Sequence, residues 1–184
     1  MAKSKKAVVY ELIGRSEVIG APMYALLDEL VAEHHADIRH ARIGLAWAKA
    51  WKADKDGRLT LGKCKKASDL DRELAEYDFI ILLNQNFWTS ALTEDKQRAA
   101  LLDHELCHAA VCVDKYGDPI EDERGRKVYR IRKHDIEEFA QIVERYGCYK
   151  RDLERFAESI RRGTQGELTL TDDKSAPRPL ASVN

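Results

Sequence analysis

Two histidines four residues apart enclose a glutamate in the run His104-Glu105-Leu106-Cys107-His108. No other feature restricts the chain as much. The run sits in an apolar stretch, Ala99 to Ala110. On a helix, residues i and i+4 lie one above the other on the same face. His104 and His108 can therefore place two imidazole nitrogens on one ion, at about 2.0–2.1 Å each for zinc. Glu105 is not needed as a ligand. Beside the first histidine it can reach a water activated by the ion and serve as general base.

The surroundings favour a helix. Thr93 offers an N-cap, and Glu94 and Asp95 put acids in the first turn, where the helix dipole is positive. Lys96 stands where a capping box would need Glu or Gln, so that box is not expected. Leu102, Leu106, Ala109 and Val113 recur at helical steps and form the expected core stripe. The two histidines fall on its flank, where they could line a cleft. His34, His35 and His40 stand outside any metal pattern.

The 184 residues suffice for one domain with a sizeable core, expected over residues 1–163, with residues 164–184 as a disordered tail. Net charge is −1, but the charge is uneven. Residues 1–66 carry 13 Lys/Arg against 8 Asp/Glu, a net of +5; residues 67–138 carry 10 against 17, a net of −7. The basic N-terminal third could touch an acidic partner or a phosphate backbone, which makes nucleic acid a weakly supported partner. Cys64, Cys107, Cys112 and Cys148 form no C-x-x-C pair; Cys107 and Cys112 are expected as small buried thiols rather than a disulfide, and the protein in a reducing cytoplasm. No apolar run approaches a membrane span, and Glu11 and Arg15 interrupt the first apolar stretch, so no signal peptide is expected. Oligomeric state is not legible.

A helix is expected from Ala21 to about His35, with Pro22 in its first turn. Ile43, Leu45 and Trp47 alternate as in a strand. The Asp54–Gly57 turn and a second strand over Arg58–Lys63 would complete a hairpin. The D-x-D-G stretch lacks the remaining acids of a calcium loop. Ser68 caps a short helix with Leu70 and Leu74 inside, and Tyr77–Asn84 is a continuous buried strand. A polar segment of some twenty residues follows Val113, and Val128–Arg132 is a short strand. A helix is expected from His134, broken at Gly147 and resumed over Lys150–Arg162.

Catalytic zinc takes three protein ligands and leaves one position open. His134 is the favoured third ligand, because a helix starting there could fold back over the first. Glu137 and Glu138 are its rivals; His134 and Glu138 are i, i+4 neighbours, so one could bind while the other supports it.

His104-Glu105-Leu106-Cys107-His108-Ala109-Ala110 resembles the HExCHAA core of SprT-like zinc metallopeptidases. In that family a later histidine in an H-G-x-x-F context supplies the third ligand. Here His134 to Phe139 is similar in placement and ends in Phe, without the glycine. The wider pattern resembles the putative phage metallopeptidase family over roughly residues 40–160. The matching stretches are Trp51–Gly57, Leu61–Cys64, Tyr77–Ile81 and Leu101–His108. The resemblance implies an α+β, zincin-like fold: a small, mostly antiparallel sheet packed on an HExxH active-site helix, plus a further helix carrying the third ligand. It also implies Zn2+, a protein or peptide substrate and, for a phage protein, the host cytoplasm. The chain lacks the C-terminal zinc ribbon of many SprT-like proteins, so the resemblance gives little support to a DNA-linked role.

The expected function is zinc-dependent peptide hydrolysis, with metal ligands His104, His108 and His134 and catalytic Glu105. Tyr129, Arg132 and Tyr146 are the candidate oxyanion donors. An edge strand near Arg58–Lys63 could pair with an extended substrate. The alternative is a non-enzymatic, zinc-stapled binding protein that contacts DNA or a host protein through its basic N-terminal third.

Overall fold

The protein is represented by a computed structural model that describes residues 9–137 and 140–172, backbone only at 141 and 165–172. It divides into two compact units, Met1–Lys133 and His134–Asn184. The first unit contains strands β1 (Val9–Leu12), β2 (Ile43–Lys49), β3 (Gly62–Lys66), β4 (Phe79–Asn84), β5 (Ala109–Val111) and β6 (Tyr129–Ile131). Its helices are α1 (Gly20–His34), α2 (Asp69–Ala75), α3 (Gln85–Trp88) and α4 (Asp95–Cys107). The architecture is α+β, with helices α5 (Ala140–Tyr146) and α6 (Arg151–Asp172) in the second unit.

The main sheet is mixed, in the order β1-β2-β4-β3. β2 and β4 run parallel; the other pairings are antiparallel. The expected hairpin between the strand after Ile38 and the one after Asp54 does not form. β4 lies between β2 and β3, pairing Leu45 with Ile81 on one side and Cys64 with Ile81 on the other. The reason is burial. Phe79, Ile81 and Leu83 are fully buried, and the most apolar strand takes the centre of the sheet. The strand expected over Arg58–Lys63 lies slightly later, at Gly62–Lys66, and is an edge strand.

Period-2 alternation sorts the strand residues. Ile43, Leu45, Trp47, Phe79, Ile81 and Leu83 join the main core with residues of α1 and α4. Ala46, Ala48 and Leu82 form a small cluster of their own. Tyr24 ties α1 to the sheet through its hydroxyl, which donates to the Ile13 carbonyl at 3.1 Å and accepts from Leu45 N–H at 2.9 Å. Leu102 and Leu106 of α4 are fully buried.

α4 starts and stops differently from the sequence expectation. Its N-cap is Glu94, and a capping box forms with Gln97 at N3, one residue past the position tested from Thr93. Thr93 instead donates its hydroxyl to the Phe87 carbonyl at 2.7 Å. The helix ends at Cys107. Ala109–Val111 leaves it to pair with β6, so Val113 is exposed rather than part of a helical core stripe. α2 has the expected Ser68 cap, but Leu70 and Leu74 are exposed. The residue it buries is Arg72, whose guanidinium bonds Asp78 at 2.7 and 2.9 Å.

The polar segment after Val113 is ordered by a repeated device. Asp54, Asp114 and Asp122 each accept two backbone N–H bonds through Oδ1, from the residues two and four positions on. The glycine three positions after each, Gly57, Gly117 or Gly125, has φ of +80°, +93° or +69°. Only glycine adopts that conformation without steric cost.

In the second unit α5 ends at Gly147, as expected; its N–H bonds the Val143 carbonyl at 2.8 Å and its φ is +69°. Phe139, which ends the stretch similar to the third-ligand context, lies outside the described residues, as does Glu138. α6 carries Leu153, Phe156 and Ile160 at helical steps, with Leu153 buried. It extends to Asp172; the rest of the expected tail, residues 173–184, lies outside the described residues.

Asp78 is 4% exposed and also accepts from Arg42 N–H at 2.8 Å. Its loss would leave the buried Arg72 charge unpaired. Asp78→Ala should cost about 3–5 kcal/mol of stability, measured by urea unfolding. A cost below about 1 kcal/mol, the range of exposed pairs, would show that this pair does not hold α2 to the sheet.

Candidate metal centre

The burial of Leu102, Glu105 and Leu106 fixes how α4 is rotated. These residues, spaced i, i+3 and i+4, face the sheet. His104 and His108 then fall together on one flank. His108 caps α4 with φ −75° and ψ −22°, so the helical spacing survives to that residue. The two rings meet edge to face, centroids 5.1 Å apart. His104 is exposed and His108 partly buried.

His108 is held by β6's continuation. Arg132 N–H donates to the His108 carbonyl at 2.8 Å, and His108 Nδ1 lies 2.7 Å from the Arg132 carbonyl. A carbonyl oxygen only accepts, so Nδ1 must carry the proton. In the neutral ring Nε2 is then the lone-pair nitrogen. A metal-ligating histidine needs that tautomer, and a backbone carbonyl commonly fixes it.

His134 follows Arg132 by two residues. One ring nitrogen from each of His104, His108 and His134 lies within 4.8 Å of the others. The local structure at His134 is not the expected helix start. Arg132 to Glu137 is irregular, and the described α5 is Ala140–Tyr146. The Arg132 N–H bond to the His108 carbonyl continues the β5–β6 pairing one residue past β6. Glu137 is exposed and stands outside the histidine group.

Glu105 is turned toward the sheet and is 4% exposed, with His108 close enough to act on its charge. Its carboxylate accepts the Cys64 backbone N–H of β3. Burial raises its pKa; the Cys64 N–H and the nearby His108 pull it down. Gly62 makes this approach possible. A Cβ built there would lie 2.8 Å from Glu105 Cγ and Cδ, closer than any real contact. A lone glycine in a strand can signal such an approach. The Cys64 thiol, buried beneath, is pushed up to about 12, by burial first and by the Glu105 charge second. It is therefore no nucleophile at neutral pH.

Of the candidate oxyanion donors, Tyr129 belongs to the core. It is 4% exposed and packs edge-on against Phe79 at 5.1 Å. Arg132 is placed near the histidines through its backbone, and Tyr146 is an exposed residue of α5. Cys107 and Cys112 differ from expectation, being exposed and partly buried; Cys64 is buried, Cys148 is exposed, and none of the four is in a disulfide.

A second group was not visible in the sequence. His35, at the C-terminal cap of α1, is buried and sets its Nε2 2.6 Å from Asp103 Oδ1. With Cys107 it offers three ligand atoms within 4.8 Å of one another. The legible half of this signal was the i, i+4 spacing of Asp103 and Cys107, one step round α4 from the histidines.

Among the described residues, no helix is long and apolar enough to cross a membrane. The sequence model described as putative phage metallopeptidase matches residues 18–161. No curated protein and no solved structure matches the chain. With 144 of its 184 residues inside that match, the chain belongs to the putative phage metallopeptidase family.

Proposed function

We propose that the chain is a zinc-dependent metallopeptidase of phage or prophage origin that hydrolyses peptide bonds. The observation that carries this reading is the pairing on α4 of a buried Glu105 carboxylate with a His108 whose tautomer is fixed by a backbone carbonyl. A structural zinc site would need neither that glutamate nor an open position. His104, His108 and His134 would hold the ion, in a zincin-like arrangement within a domain spanning residues 1–163. The donor set fits zinc: three neutral imidazoles suit it and leave a fourth position.

When bound, zinc would supply Lewis acidity, activating a water and polarising the peptide carbonyl. The residues of the chain do the rest. Glu105 takes the proton of the attacking water and passes it to the leaving amine. Its burial keeps it more basic than an exposed glutamate, and the Cys64 N–H fixes its orientation. β3 lies at the sheet edge beside this carboxylate and can pair with an extended substrate backbone. Lys63, Lys65 and Lys66 on it favour a substrate with acidic side chains near the cleaved bond.

Two variants separate chemistry from folding. Glu105→Gln keeps an acceptor for the Cys64 N–H but has no base. It should lower peptidase kcat about 10²–10⁴-fold while metal content stays at the wild-type level. Removing a buried carboxylate whose pKa is raised should also stabilise the fold, by on the order of 1 kcal/mol. Wild-type activity in Glu105→Gln would refute the mechanism. Gly62→Ala should push the carboxylate aside without touching the histidines, and a displacement near 1 Å costs about 10²-fold in rate. Peptidase assays with metal analysis on the same preparations check both. Loss of metal in Gly62→Ala would mean that Gly62 supports the fold rather than Glu105 alone.

A further inference from the structure

α4 carries two i, i+4 pairs of ligand-type residues on different flanks. His104 and His108 form one pair. Asp103 and Cys107 form the other, about 100° round the helix. His35, at the C-terminal cap of α1, completes the second group. We propose that His35, Asp103 and Cys107 form a second transition-metal site, distinct from the three-histidine group and independent of the peptidase reading.

Three observations support it. The ligand atoms lie within 4.8 Å of one another, and zinc ligands about 2.0–2.3 Å from an ion sit roughly 3.5 Å apart. Small side-chain rotations close that gap. The donor charge also fits. A thiolate and a carboxylate with a neutral imidazole carry two negative charges, which a divalent cation neutralises. A thiolate ligand selects zinc- or cobalt-like ions over magnesium and calcium. Finally, two of the three groups are already anchored. His35 is 8% exposed and bonded to Asp103, so little ordering is left to do on loading. Binding displaces the Cys107 thiol proton to solvent, the neutral His35 ring keeps its one proton on the nitrogen away from the ion, and the ion replaces the His35–Asp103 hydrogen bond. The site would join the end of α1 to the two turns of α4 that carry the histidine pair.

Cobalt(II) titration of the full chain tests this, read by absorbance and elemental analysis. The wild type should take two equivalents and show a thiolate-to-cobalt charge-transfer band. Cys107→Ser should lose the band and one equivalent. His108→Ala should keep the band and lose the other equivalent. Zinc should also slow alkylation of Cys107 by iodoacetamide in the unaltered protein several-fold, with exposed Cys148 as internal reference. That readout requires no variant to fold. No thiolate band in the wild type would overturn the proposal. So would a band that survives Cys107→Ser, or one that disappears in His108→Ala, since the latter places the thiolate in the histidine group. Failure of the three-histidine reading appears separately, as full cobalt content in His108→Ala.

Discussion

The approach of Glu105 to the backbone of β3 sets the geometry of everything around it. A carboxylate is expensive to bury. Here it is tolerated because Gly62 leaves room and the Cys64 N–H provides a partner. With Glu105, Leu102 and Leu106 turned inward, the rotation of α4 has no freedom left. His104 and His108 are sent to one flank, Asp103 and Cys107 to the other. The helix ends where β5 begins, and the β5–β6 pairing brings Arg132 to His108. The bond from His108 Nδ1 to a carbonyl then decides which nitrogen keeps a lone pair.

Local patterns carried much of this. α1, β2, β4 and the Gly147 break follow from apolar periodicity and from residues with strong backbone preferences. The HExxH spacing alone singled out Glu105, which is buried, and the two histidines, whose rings lie together on α4. What it could not supply was strand order. Ile43–Trp47 and the stretch after Asp54 look like hairpin partners, because sequence nearness is a good guide to antiparallel pairing. The parallel β2–β4 ladder follows instead from the burial demanded by Phe79–Leu83, and no local pattern states that. Leu70 and Leu74 misled for the opposite reason. Their helix turns Arg72 inward, held by an acid six residues away that helical periodicity does not mark.

Non-local contacts were the other hidden layer. His35 looked like a loose histidine because its partner, Asp103, is 68 residues on. His134 looked like a helix start because Lys133 to Glu138 has helical composition. The Arg132 N–H bond to the His108 carbonyl ties the residue before that segment to β5–β6 instead, and the segment is irregular as far as Glu137. In both cases a tertiary hydrogen bond outweighs local preference. The match to the putative phage metallopeptidase family, over residues 18–161, takes in α1, strands β2, β3 and β4 of the main sheet and the whole of α4.

Zinc content is the most direct test of the central claim, compared between the wild type and the His134→Ala, Glu137→Ala and Glu138→Ala variants. Ligation by three histidines predicts that His134→Ala loses one equivalent, while both glutamate variants keep the wild-type content. Wild-type zinc content in His134→Ala, or no zinc in a wild-type protein that also refuses added metal, would contradict it.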